Sequence, residues 1–94
     1  MTEATETRGP LADFVRSRAE LARAAELPAP AERRRIREAA GVSQQQIADE
    51  LGVSHMAVSY WECGKWTPTL ENAIAYRSLL GQLADVRAEI AERS

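Results

Sequence analysis

Apolar positions in this 94-residue chain recur at three- and four-residue spacings and never alternate, a pattern that predicts helices and no strand. Leu11, Phe14, Val15, Ala22 and Ala25 follow that spacing, with Arg18 interrupting the stripe, and predict an amphipathic helix over 11–26. Pro10 suits the start of that helix, because its missing N–H would have lacked a partner there. Leu27-Pro28-Ala29-Pro30 ends it, since each proline removes a helical hydrogen bond and restrains the residue before it. A second, Arg-rich helix over 31–40 offers Ile36, Ala39 and Ala40 as apolar surface and stops at Gly41, which tolerates positive φ.

Ser43 opens a third helix. Its hydroxyl can accept the Gln46 N–H while the Gln46 amide reaches back to the Ser43 N–H, a capping box. Ile47 and Leu51 share one face with Ala48 beside them, and Gly52 limits the helix to about Leu51. Ser54 supplies a fresh cap for a helix over 55–63, in which Val58 and Trp61 are three apart and suited to burial. Gly64 breaks it, and Lys65-Trp66-Thr67-Pro68 forms a loop. Thr69 then caps a stretch carrying Leu70, Ala73, Ile74, Leu80, Leu83, Val86 and Ile90; Gly81 either sits inside one helix or divides it, and the favoured reading is one helix to about Leu80 and another from about Gln82 to Glu92. Residues 1–9 are polar and are expected to fray.

The fold expectation is therefore all-α, a compact helical bundle. It divides into a flexible 1–10, an N-terminal helix and Pro-containing linker over 11–30, a central unit over 31–80, and a C-terminal helix over 81–94. At 10.4 kDa the chain has room for one domain, which excludes barrels and doubly wound sheets. Five aromatic residues (Phe14, Tyr60, Trp61, Trp66, Tyr76) leave the core to aliphatic and Ala side chains. One cysteine, Cys63, excludes an internal disulfide and suggests a reducing compartment, so a cytoplasmic location is expected; one His and one Cys make no four-ligand zinc site. No apolar run is long enough to span a membrane. No catalytic triad spacing, glycine-rich phosphate loop or small-molecule site is evident, so neither enzymatic activity nor a cofactor is expected.

Charge adds a constraint. The net charge is −2, and residues 31–65 balance Arg33, Arg34, Arg35, Arg37 and Lys65 against Glu32, Glu38, Asp49, Glu50 and Glu62. Any attraction to a polyanion must come from where these charges sit.

The most informative segment is Ser43 through Gly64. Two short capped helices joined by Leu51-Gly52-Val53-Ser54 have the layout of a helix-turn-helix. Gly52 permits the backbone turn, Ala48 allows a close helix crossing, and Ile47, Leu51, Val53, Val58 and Trp61 can fill the space between. His55, Met56, Ser59 and Tyr60 then lie on the side of the second helix opposite Val58 and Trp61.

The run Arg37-Glu38-Ala39-Ala40-Gly41-Val42-Ser43-Gln44-Gln45-Gln46-Ile47-Ala48-Asp49-Glu50-Leu51-Gly52-Val53-Ser54, continuing through Val58-Ser59 to Glu62, Gly64 and Pro68, resembles the Cro/repressor-type (xenobiotic-response-element) helix-turn-helix family of bacterial and phage regulators. The resemblance covers roughly 34 to 80 and implies a lambda-repressor-like DNA-binding domain, here with an extra N-terminal helix. It further implies a homodimer on operator DNA, with His55, Met56, Ser59 and Tyr60 reading bases in the major groove. Gln44, Ser54 and Lys65 would meet the DNA backbone, joined by Arg34 and Trp66, while Arg37 would pair with Glu62 to tie the first family helix to the end of the reading helix. Trp66 is equally suited to packing on helix ends.

The chain departs from the family at two places. Arg33 stands where relatives often carry an apolar residue, leaving that helix thinly packed, and the extra N-terminal helix could cover it. The reading face also lacks Arg, Lys, Gln and Asn, the residues that make the common bidentate contacts to G and A. Ser59 can still bond several base edges, Met56 can touch a thymine methyl, and His55 and Tyr60 can donate or accept.

The function expected is sequence-specific binding of double-stranded DNA by a transcriptional regulator, with repression the first reading. The alternatives are an antitoxin-like or phage accessory module that mainly binds a protein partner, and an architectural DNA protein. For dimerisation, Leu80, Leu83, Val86 and Ile90 are the first-choice surface and the N-terminal helix the second; either could instead pack on the central helices.

Overall fold

Proline and glycine punctuation sets the element order. The computed structural model describes residues 9–93 and forms α1 (Pro10–Ala24), α2 (Pro30–Ala39), α3 (Gln44–Leu51), α4 (His55–Cys63) and α5 (Leu70–Arg93). Of the stretch 1–10 expected to be flexible, residues 1–8 lie outside the described residues, whereas Gly9 is the N-cap of α1 and Pro10 its first residue. Pro10 and Pro30 both stand in the first turn of their helices, and Gly41, Gly52 and Gly64 follow α2, α3 and α4 with φ of 76°, 68° and 78°. The described residues form helices joined by turns and loops, with no strand among them, so the architecture is an all-α bundle of helix-turn-helix type with an added N-terminal helix.

One core sits where α3, α4 and α5 meet. Ile47, Ala48, Val58, Trp61, Tyr76 and Leu80 are buried, and Leu27, Ile36, Val42, Leu51, Val53, Leu79 and Leu83 pack around them. The Trp61 and Tyr76 rings lie 5.1 Å apart at a tilt of 38°. Tyr76 completes the face Ala73–Tyr76–Leu80, the side of α5 that closes the core.

Three expectations are corrected. First, α5 runs unbroken through Gly81. Glycine costs a helix interior about 1 kcal/mol, and burial of Leu80 with Leu83 half-covered, one on either side of Gly81, outweighs it.

Second, α2 is covered by α5, not by the N-terminal helix. Ile36 faces Leu80 across a shallow depression that Pro28 and Arg77 also line, while α1 packs on α5. Arg33 does not thin the packing of α2. Its Nε donates to the Pro28 carbonyl at 2.7 Å and its Nη1 to the Trp61 carbonyl at 2.9 Å. One cation thereby holds the linker and the carbonyl-rich end of α4, where positive charge is favoured.

Third, the two apolar stripes set aside for dimerisation divide differently. Leu80 is core, whereas Val86 is exposed. No residue of α1 is buried, and Leu11, Phe14 and Val15 are 74%, 61% and 56% exposed. The result is an elongated molecule. Its radius of gyration is 17.3 Å, against about 12 Å for a compact chain of this length.

Candidate nucleic-acid interface

The interface is assembled by two caps and one turn. Ser43 Oγ accepts the Gln46 N–H at 3.1 Å, and Gln46 Oε1 accepts the Ser43 N–H at 2.8 Å. After α3, the Gly52 and Val53 N–H groups both reach the Ala48 carbonyl, and the chain turns through Gly52 in the left-handed region. Ser54 Oγ then accepts the Ala57 N–H at 3.0 Å and starts α4. Ala48 is fully buried at the α3–α4 crossing, where its methyl group keeps the approach close.

α4 therefore presents two sides. Val58 and Trp61 are 0% and 3% exposed. On the other side His55 and Met56 are exposed, and Ser59 and Tyr60 are half-buried. Cys63 is exposed, with its thiol 3.6 Å from the Tyr60 carbonyl.

A chain of polar contacts crosses the domain from α2 to this outer face. Arg37 Nε and Nη2 donate to Glu62 at 2.6 and 3.0 Å, a two-point grip, and Nη1 donates to the Val42 carbonyl at 2.8 Å. Both partners are buried. The hydrogen bond to Glu62 pushes the Arg37 guanidinium above its ordinary range, against the desolvation that opposes it. Glu62 Oε1 also accepts from Gln44 Nε2 at 2.9 Å, and Gln44 Oε1 lies 2.8 Å from His55 Nε2. The acid at the unfavourable C-terminal end of α4 is thus fixed by three donors.

A second cluster lies at the far end of α4. Trp66 meets the Tyr60 ring edge-on, with centroids 4.5 Å apart at 86°, and Lys65 Nζ stands 5.1 Å from the Tyr60 centroid. Trp66 packs on Tyr60 yet stays 47% exposed, so its indole both holds that ring and meets solvent.

The structure gathers the sequence-predicted residues into two groups, Gln44 with His55, and Tyr60 with Lys65 and Trp66. Met56 and Ser59 lie between them along the helix. Arg34 joins neither; it pairs with Glu38 at 3.0 Å and holds that carboxyl below its ordinary range. The Gln44 amide is engaged at both ends, and the main-chain N–H groups of Gln44 and Gln45 at the start of α3 have no partner among the described residues. The Ser54 hydroxyl accepts from Ala57 and retains its own proton for donation.

Sequence reasoning missed two contributors. Arg33 lies four residues before Arg37, on the same helix face, and that spacing was the available sign that it points inward. Tyr76 fits the spacing of Ala73 and Leu80 and lies beneath Trp61. Its hydroxyl is buried without a hydrogen-bond partner, and desolvation, reinforced by the Glu62 charge, pushes the phenol up to about 12.

Comparison with curated proteins and with solved structures gives no match. A protein-family model described as helix-turn-helix matches residues 34–84, more than half of the chain. That span begins inside α2, contains both caps, the Gly52 turn and the two-sided α4, and ends within α5. The chain belongs to the helix-turn-helix family and carries a DNA-binding domain of that type.

Proposed function

We propose that this protein is a transcriptional regulator of the Cro/repressor type, which binds an operator in double-stranded DNA with α4 in the major groove and most simply represses. The observation that carries this reading is the division of α4, with Val58 and Trp61 sealed in the core and His55, Met56, Ser59 and Tyr60 on the open side. Around that face stand the groups suited to phosphate: the free N–H groups that begin α3, the Ser54 hydroxyl, and Lys65 beside Trp66. Arg34 is the remaining candidate, with Glu38 offsetting its charge.

One such module spans about half a site. Two copies related by a two-fold axis would place their α4 helices about 34 Å apart on one side of the duplex. The exposed apolar residues of α1 and the distal part of α5 are the surfaces available for that pairing.

The decisive experiment is selection of bound duplexes from random DNA by the full chain, with the mass of the selected complex measured. The reading predicts an inverted repeat carrying two chains, and a steep fall of affinity with salt. A second reading, a module that mainly binds a protein partner, is favoured by Leu11, Phe14 and Val15 on the surface and by the charge balance over 31–65. It predicts weak duplex binding without sequence preference.

A further inference from the structure

The contacts of Gln44 fix more than the position of His55; they fix which of its ring nitrogens carries the proton. Glu62 is gripped by Arg37 through both carboxylate oxygens and, as a carboxylate, only accepts hydrogen bonds. The Gln44 group facing Glu62 at 2.9 Å must therefore be the NH₂, which turns the Gln44 carbonyl oxygen toward His55. A carbonyl oxygen also only accepts, so the His55 nitrogen 2.8 Å away, Nε2, must be the donor. In the neutral imidazole the other nitrogen, Nδ1, is then a bare acceptor. Nδ1 has no partner among the described residues, and His55 is exposed at the start of α4. An acceptor is unsuited to a phosphate oxygen. In the major groove the bases offer two hydrogen-bond donors, the exocyclic amines of cytosine N4 and adenine N6.

We propose that Gln44 is a positioning residue that locks His55 in the Nε2–H form, so that His55 Nδ1 accepts a hydrogen bond from an exocyclic base amine in the major groove. This rests on the operator-reading function above and assigns a polarity to one of its contacts. The direction is set from the buried Arg37–Glu62 pair outward, through Gln44, to the surface.

The test has two arms on the untagged full chain, in which His55 is the only histidine and gives a single imidazole spectrum. The first is nitrogen-15 spectroscopy of that ring at about pH 8, above the ordinary imidazole range. The Nε2–H form should dominate in the wild type, and Gln44→Met, checked for folding by its helical circular dichroism, should show a mixture of both tautomers. A dominant Nδ1–H form in the wild type, or an unchanged spectrum in Gln44→Met, overturns the proposal.

The second arm uses the duplex chosen by selection. One operator position should require cytosine or adenine. Replacing that base by its analogue lacking the amine should weaken wild-type binding roughly tenfold and leave His55→Ala unaffected. Parallel cytosine and adenine duplexes identify which amine is read. If the protein selects an operator but amine removal affects wild type and His55→Ala equally, this proposal fails and operator reading stands. If no operator is selected at all, both fall together.

Discussion

α4 and α1 are helices of the same chain, yet they relate to the protein in opposite ways. α4 is nine residues long and buries Val58, Trp61 and Glu62; α1 is fifteen residues long and buries none. Ser54 caps the first with its side chain, whereas Gly9 gives the second no side-chain cap. A short helix is marginal in isolation, so the stability of α4 must come from the core it closes. The lesson is a division of labour. The α3–α4 unit needs rigidity to present a fixed polar face, and α1 places its larger apolar surface where a second molecule could meet it.

That contrast can be broken most severely at Trp61. Trp61→Ala should destabilise the fold by about 4 kcal/mol, seen as a large drop in denaturant midpoint, and a loss under 1 kcal/mol would mean that α4 is not held by the core.

Next is Glu62→Ala, which strips Arg37 of its partner and leaves a buried cation. A loss of about 3 kcal/mol is expected in thermal or chemical melts, and an unchanged melting temperature would show that the pair is open to water.

Tyr76→Phe should act in the opposite direction. Removing a buried hydroxyl that makes no hydrogen bond should raise stability by about 1 kcal/mol. The pH dependence sharpens it. The folded phenol holds its proton to about 12, against 10.0 for the ordinary group, so its contribution is intact below pH 10 and is lost as pH rises through 12. The Tyr76→Phe chain should lack that part of the alkaline loss, measured by melts across this window.

The smallest effect belongs to α1. Phe14→Ala should change the stability of the isolated chain by less than about 0.5 kcal/mol. A larger loss that grows with protein concentration would show that the Phe14 face is buried in an assembly.

What was legible in the sequence follows the range of the interactions. The caps at Ser43 and Ser54 and the turns at Gly41, Gly52 and Gly64 are decided within a few residues, and they stand where the pattern puts them. The two sides of α4 were legible because helical spacing alone separates Val58 and Trp61 from His55 and Met56. Gly81 misled because its local penalty is visible in sequence, whereas the burial of Leu80 that overrides it depends on α2 arriving from some forty residues earlier. Arg33 looks in sequence like a gap in the packing of α2 for the same reason, its partner being the Trp61 carbonyl, 28 residues away. The stripe on α1 was readable as amphipathic, but nothing local says whether such a face turns inward or outward. In the candidate interface, the inward turn of Gln44 depends on a carboxylate eighteen residues further along the chain.

The outer face of α4 is tested most directly by the affinity of wild type, Ser59→Ala and Tyr60→Phe for a selected operator and for a scrambled duplex at one salt concentration. Tyr60→Phe keeps the ring against Trp66 and removes only the hydroxyl. Each variant should lose roughly tenfold of the preference for the operator, while its scrambled-duplex affinity and melting temperature hold. Equal weakening on both duplexes, or no change on either, would contradict a base-reading role for this face.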